Sequence, residues 1–244
     1  PRLYEKMHAR IIEGLKTAPP ARKKIFWWAI EVGENYSRLS ILGKKVPLLL
    51  DIKHKIADKL VYSKVRARMG GRLKFFVSGG APLSQKIGEF FAAAGITILE
   101  GYGLTETSPV LTSNSPTSLR YGSVGKPLFN VEIKIATDGE IMAKGPSIMK
   151  GYYNNEEATK ESIDFDGWFH TGDIGKFDGD GYLKITDRKK NILVTSAGKN
   201  IAPAPMENVM VASPYIDQVV VIGDNRNFIS ALIVPAFKSV ESYL

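Results

Sequence analysis

The 244-residue chain is 44% hydrophobic and 24% charged, an ordinary globular balance that suits one large or two ordinary domains. It holds no cysteine, which excludes disulfides, thiolate metal sites and a cysteine nucleophile, so any thiol chemistry must use a partner's thiol. No apolar run approaches the roughly 20 residues that span a bilayer, and no signal-peptide pattern opens the chain, which reads as cytoplasmic.

The formal net charge of +8 is unevenly spread: residues 1–74 hold 18 Lys/Arg against 6 Asp/Glu, and the remainder 15 against 19. Stretches such as "PPARKK" and "KVRARMGGRLK" read first as solvated helix faces. Their alternative is a peripheral landing patch for phosphates, an acidic membrane surface or an acidic carrier protein. No nucleic-acid motif accompanies the charge, and no nucleic-acid partner is expected. A start at Pro1 and a close on "KSVESYL", like the first turn of a helix, suggest a piece of a longer protein.

Residues 4–15, about 20–42 and 51–68 carry apolar residues at helical spacing, as in Ile25, Trp28, Ala29 and Val32. "LKFFVS" then predicts a strand, "GGAP" a loop, and Leu83, Ile87, Phe90, Phe91 and Ala94 one face of a helix ended by Gly95. "ITILE" follows as a second strand, so the unit is βαβ and its strands parallel. "GGAP" and "GYGLTE" then fall just past strand ends, at the edge where open α/β sheets bind ligands.

Beyond residue 120 the pattern is β-rich: "VEIKI", "EIMAK", "GWFHTGDIGKF" and "YLKITD" alternate with turns and predict a small antiparallel barrel or sheet. "DRKKN" separates these from a helix start in "APAPMENVMVA" and two strands, "DQVVVIG" and "FISALIVP". The expected domains are 1–188, helical and βαβ to about 119 and β-rich from 120, and a small α+β domain from 189 to 244.

Four stretches carry chemistry. In "ILEGYGLTET" the glycines allow a sharp turn and close approach to a ligand, leaving the Tyr102 ring for a flat partner such as a purine. Thr105 offers a hydroxyl to a phosphate, and Glu106 a single carboxylate to Mg²⁺. "SGGAPLS" lies one crossover away. Asp173 can accept both ribose hydroxyls and Arg188 supplies fixed donors; together the stretches describe an adenylate pocket. Alone, Asp173 would as readily cap a turn and Arg188 pair with a carboxylate. His8 and His54 read as surface residues and His170 as structural.

The order "SGGAPL", "EGYGLTETSPV", "GWFHTGDIG", "DRKKNILVTSAGKNIAPAPME" resembles the adenylate-forming enzymes, in particular the long-chain acyl-CoA synthetases. The resemblance implies an α/β fold and ATP-dependent activation of a long-chain fatty acid to acyl-AMP, followed by thioester formation with coenzyme A. It implies Tyr102 on adenine, with Gly80, Ala81, Pro82, Glu100 and Gly101 lining the adenine and carboxylate end. It implies Thr105 on phosphate, Glu106 on Mg²⁺, Asp173 and Arg188 on ribose, and Lys190 as the hinge of the small domain.

Two family parts fall outside the chain, the phosphate-cradling loop upstream and a catalytic lysine downstream, so the fragment alone is expected to form no acyl-AMP. Val194 stands where some relatives have a lysine that helps position the thiol substrate. Acyl carrier protein is the alternative acceptor, and a non-enzymatic adenylate-binding module the alternative function.

Overall fold

The computed structural model describes residues 2–211 and 213–241. Pro1, Ala212 and residues 242–244 lie outside the described residues, and with them the ends of the "APAPMENVMVA" and "KSVESYL" expectations. The fold is mixed α/β, and the chain forms two compact units, one of residues 1–105 and 109–126, the other of 106–108 and 127–244.

The first unit opens with helices α1 (Arg2–Lys16) and α2 (Pro20–Ile41). Pro20 suits the first turn of α2, where its missing N–H costs nothing. At the other end Gly43 turns at φ +63° and the Lys44 N–H reaches back to the Leu39 carbonyl at 2.9 Å. Helix α3 (Leu48–Ala57) runs through one wider π turn (Asp58–Tyr62) into α4 (Ser63–Arg68). That turn delivers Tyr62, wholly buried, whose hydroxyl donates to the Ala29 carbonyl of α2.

Strand β1 (Phe75–Ser78), helix α5 (Gln85–Ala93) and strand β2 (Thr97–Gly103) form the expected βαβ unit. The two strands are parallel, in a register from Phe75 opposite Thr97 to Ser78 opposite Glu100. Gly95 ends α5 at φ +74°, and the Ile96 N–H returns to the Phe91 carbonyl at 2.8 Å. Phe90, Phe91 and Ala93 of α5 pack with Phe26, Ala29 and Ile30 of α2 and with Ile98 of β2 into one apolar core. Of the expected inward face of α2, Ala29 and Val32 are buried and Trp28 packs against the core, whereas Ile25 is exposed and its neighbour Phe26 is buried instead. His8 and His54 are half-buried rather than on the surface, packed against the rings of Phe90 and Tyr36.

Strand β2 runs further than "ITILE". Past Glu100 it leaves β1 and pairs antiparallel with β3 (Val110–Ser113), Gly101 opposite Ser113 and Tyr102 opposite Thr112. "GYG" is therefore strand, not the turn beyond it. Its glycines are required by close approach: a Cβ on Gly103 would lie 1.6 Å from the Pro109 carbonyl oxygen, and one on Gly101 3.3 Å from that of Thr112. With β4 (Lys126–Pro127) the sheet order is β1-β2-β3-β4.

In the second unit, strands β5 (Glu132–Ile135), β6 (Glu140–Lys144), β7 (Phe169–Phe177) and β8 (Leu183–Arg188) form an antiparallel sheet in chain order. Helix α6 (Glu156–Ser162), capped by the Asn155 side chain on the Ala158 N–H, precedes β7. A 3₁₀ turn (Lys189–Asn191), the short pair β9 (Leu193–Val194) and β10 (Asn200–Ile201), and helix α7 (Pro203–Val211) follow. Antiparallel β11 (Ile216–Ile222) and β12 (Ser230–Pro235), then α8 (Phe237–Glu241), complete the unit. No helix among the described residues is long and apolar enough to cross a membrane.

Gly33 sets how closely α2 and α5 approach, because a Cβ there would lie 2.2 Å from the Ala93 carbonyl oxygen. Replacing a helical glycine by alanine normally stabilises by about 1 kcal/mol, whereas overpacking a core costs about 1–3 kcal/mol. Gly33→Ala is accordingly expected to lower the urea midpoint. Gly14→Ala, on an exposed part of α1 with nothing within 4 Å of the new methyl, is expected to raise it.

Candidate functional site

In the first unit the candidate residues gather at the C-terminal end of the parallel strand pair. The loop after β1 carries Gly80 at φ +76°, and Gly80, Ala81 and Pro82 are all exposed. A side chain on Gly80 would meet open space, so its glycine is a backbone requirement. Tyr102, on the antiparallel part of β2, is buried at 8% exposure, and Thr105 is exposed on a 3₁₀ turn (Thr105–Thr107).

Glu100 lies beneath this surface at 6% exposure, and its carboxylate accepts the backbone N–H groups of Leu83 and Gly122. It thus holds the Gly79–Leu83 loop from inside. Burial pushes its pKa up to about 7, against the two backbone donors, which act to lower it. Its second carboxylate oxygen has no hydrogen-bond partner, and neither does the buried hydroxyl of Ser78, opposite it in β1. Burial pushes Tyr121 up to about 12, with the Glu100 charge adding to the shift. The Tyr121 ring packs on Gly88 of α5, where a Cβ would lie 2.6 Å from it.

In the second unit Glu106 is half-buried; its backbone carbonyl accepts the Met149 N–H at 2.8 Å and its carboxylate the Tyr152 hydroxyl at 3.1 Å. No group of three or more His, Cys, Asp or Glu able to hold a metal occurs among the described residues. A single carboxylate fits Mg²⁺, which takes one or two protein ligands and completes its shell from phosphate and water.

Asp173 and Arg188 stand directly opposite each other on β7 and β8. The Arg188 Nε lies 3.3 Å from the Asp173 carboxylate; the Asp173 side chain is 7% exposed and that of Arg188 55%. Gly172, at φ +71°, sets the turn of β7 just before Asp173. Its N–H donates at 2.9 Å to Glu140, a buried carboxylate heading β6. Glu140 also meets His170 Nδ1 at 3.1 Å and Lys189 Nζ at 2.9 Å, and Lys189 bonds Asp138 at 2.7 Å. Burial alone would raise the Glu140 pKa, but Lys189, His170 and the Gly172 N–H together hold it below the usual value. Lys190, in the 3₁₀ turn, is exposed. Val194 is exposed, and its N–H donates to Asp224 at 3.0 Å.

The sequence reading passed over Glu140, Lys189, Tyr152 and Tyr121. For Glu140 a signal existed: it heads a strand whose next residues, Ile141, Met142 and Ala143, are apolar without alternation. Such a strand is buried on both faces, and a carboxylate at its head must be paired.

A family model described as AMP-binding enzyme matches residues 26–153, and one described as AMP-binding enzyme C-terminal domain matches residues 190–243. The chain is 45% identical, over 96% of its length, to the long-chain-fatty-acid–CoA ligase FadD15 of Mycobacterium bovis, covering 38% of that protein. It is 36% identical over 93% of its length to the peroxisomal long chain acyl-CoA synthetase 7 of Arabidopsis thaliana, covering 33% of it. The chain thus spans about two fifths or less of the length of these relatives. Among solved structures it resembles the O-succinylbenzoate coenzyme A synthetase of Bacillus subtilis in complex with ATP and magnesium ion. The TM-score is 0.61 at 33% identity, over 71% of this chain and 40% of that one.

Glu100 makes stability depend on pH. Its folded-state pKa of about 7 stands above the ordinary value of 4.5, so the stability it contributes is full below 4.5 and lost as pH rises through 7. The whole span is worth on the order of 3 kcal/mol at 1.36 kcal/mol per unit. Glu100→Gln keeps an acceptor for the loop amides without the titration. Melting curves are expected to show the variant gaining over the parent protein from pH 5 to pH 8, and a constant difference would remove the assignment.

Proposed function

The chain belongs to the AMP-binding enzyme family, and on that premise we propose that the full-length protein is an ATP-dependent long-chain fatty acid:coenzyme A ligase. The likeness to a long-chain-fatty-acid–CoA ligase at 45% identity over 96% of the chain is the observation that carries this reading. In the first half-reaction a carboxylate oxygen of the acid attacks the α-phosphorus of ATP, the bond to the β-phosphate oxygen breaks, and pyrophosphate leaves with the electron pair. In the second a thiol sulfur attacks the acyl carbonyl, the thiol proton is released, and AMP departs.

On this reading we assign the residue roles as follows. The Tyr102 ring receives adenine, a contact worth roughly 1–3 kcal/mol by analogy with base stacking on aromatics. The Gly80–Pro82 backbone, held from below by Glu100, borders the base and the reacting carboxylate. Asp173 accepts hydrogen bonds from the ribose hydroxyls, and the Arg188 guanidinium, aligned by its ion pair with Asp173, donates to ribose oxygens. Thr105 donates its hydroxyl to phosphate. Glu106, steadied by the Tyr152 hydroxyl, would hold Mg²⁺, which when bound neutralises charge developing on the phosphate oxygens.

We place the boundary of the small C-terminal domain at residue 189 and its hinge at Lys190. The two half-reactions meet different partners, and a swing of this domain lets one nucleotide site serve both.

In the full-length enzyme, pyrophosphate release is expected to depend on a long-chain acid such as palmitate. Release only with aryl or amino acids would refute the substrate class. Tyr102→Ala and Asp173→Ala are each expected to weaken ATP binding about tenfold, the cost of one stacking or charge-assisted contact. Lys190→Pro is expected to spare adenylate formation and to block thioester formation; equal loss of both would contradict the hinge.

A further inference from the structure

Glu140 holds the neighbours of both residues assigned to the ribose. Its Oε1 takes the Gly172 N–H at 2.9 Å, fixing the backbone immediately before Asp173. Its Oε2 takes Lys189 Nζ at 2.9 Å, fixing the residue immediately after Arg188. Gly172 sits at φ +71°, with open space where a side chain would be, so this hydrogen bond holds a peptide that no side chain of its own anchors. Lys189 is restrained from a second direction by Asp138 at 2.7 Å. His170 Nδ1, at 3.1 Å, completes the shell of a carboxylate that is 4% exposed.

A buried carboxylate is expensive to desolvate and is kept where its partners satisfy it fully. Here the partners come from three places: the body of β7, the glycine turn within it, and the 3₁₀ turn after β8. Hydrophobic packing alone could close this sheet, but it would not fix a peptide plane and a cation to within tenths of an ångström. Asp173 and Arg188 face each other across β7 and β8, and their spacing depends on where those two backbones lie. A ribose diol needs both groups placed together.

We infer that Glu140 is a positioning residue for nucleotide binding, setting Asp173 through the Gly172 amide and Arg188 through Lys189. The inference rests on the nucleotide reading above.

The test is AMP affinity of the full-length enzyme, measured by titration calorimetry, with hydrogen exchange at the Gly172 amide in the unliganded protein. Glu140→Ala is expected to weaken AMP binding about tenfold, the size of coupling seen between contacting residues. Glu140→Gln, which keeps an acceptor for Gly172 but no charge for Lys189, is expected to fall between the parent and Glu140→Ala, level with Lys189→Met. Combined with Asp173→Ala, the Glu140 substitution is expected to add less than its own separate loss. Exchange at Gly172 is expected to quicken in Glu140→Ala and to stay unchanged in Lys189→Met.

If Glu140→Ala fails to fold, Glu140→Gln carries the same cycle. Losses that multiply independently, or unchanged affinity in Glu140→Gln and Lys189→Met while Asp173→Ala binds weakly, overturn the positioning role and leave the nucleotide reading standing. Unchanged affinity in Asp173→Ala itself overturns that reading, and the inference falls with it.

Discussion

The first unit is organised around a change of partner in one strand. Strand β2 is parallel to β1 as far as Glu100 and antiparallel to β3 from Gly101 onward. A strand that makes this exchange ends one pairing where the other begins, and the polar groups at the junction lose their ordinary solvent. Ser78 and Glu100 face each other there, each with a buried oxygen lacking a partner. The same junction fixes the exposed Gly80–Pro82 loop on one side and Tyr102 on the other. A side chain at Gly101 or Gly103 would push β3 away. The close β2–β3 approach is therefore what carries Tyr102 beyond the end of β1.

Two buried glutamates show how partners decide the outcome of burial. Glu100 has only backbone amides to oppose desolvation, and its pKa rises to about 7. Glu140 is about as little exposed, yet a lysine, a histidine and an amide outweigh its desolvation and its pKa falls. Burial disfavours the charge in both; only the second site supplies a cation to restore it. The first carboxyl is consequently a titrating support near neutral pH, and the second an anion around which a lysine, a histidine and a backbone amide are arranged.

Much of the fold was legible because it is written in local periodicity. The helices of the first third, the βαβ unit with its Gly95 terminator and the strand-turn-strand run after residue 130 all followed from spacing and turn residues. What escaped was set by tertiary contact. "GYG" was read as a turn because glycine signals both turns and close approach, and only the opposing strand distinguishes them. Phe26 and Ile25 exchange places because a shift of one residue on a helix stays within the width of its apolar stripe. His8 and His54 gave no hint of the rings they meet. Among the candidate site residues, Asp173 and Arg188 were identified as chemistry, but their pairing required the register of β7 and β8. Glu140 meets Gly172 and Lys189 from 32 and 49 residues away, beyond any local pattern.

The geometry after β8 also bears on where a hinge can turn. Before Lys190, Lys189 is tied to Asp138 and Glu140 of the sheet. After it, the Val194 N–H is held by Asp224, and the Val194 carbonyl accepts the Asn225 N–H at 2.8 Å, which ties Val194 to the loop between β11 and β12. Leu193 is itself paired with Ile201 of β10, so the proposed hinge at Lys190 would lie between these two sets of bonds, within residues 190–192. Among the described residues, a bond from the Ala204 N–H at the start of α7 to the Asp187 carboxylate, at 3.0 Å, links α7 to the end of β8. A carboxylate is favoured at a helix N-terminus, and a hydrogen bond to a charged group is worth about 1.5–3 kcal/mol. Under the proposed swing at Lys190, a bond of that size would favour the arrangement seen here, and the differential binding of a substrate would be enough to reverse it.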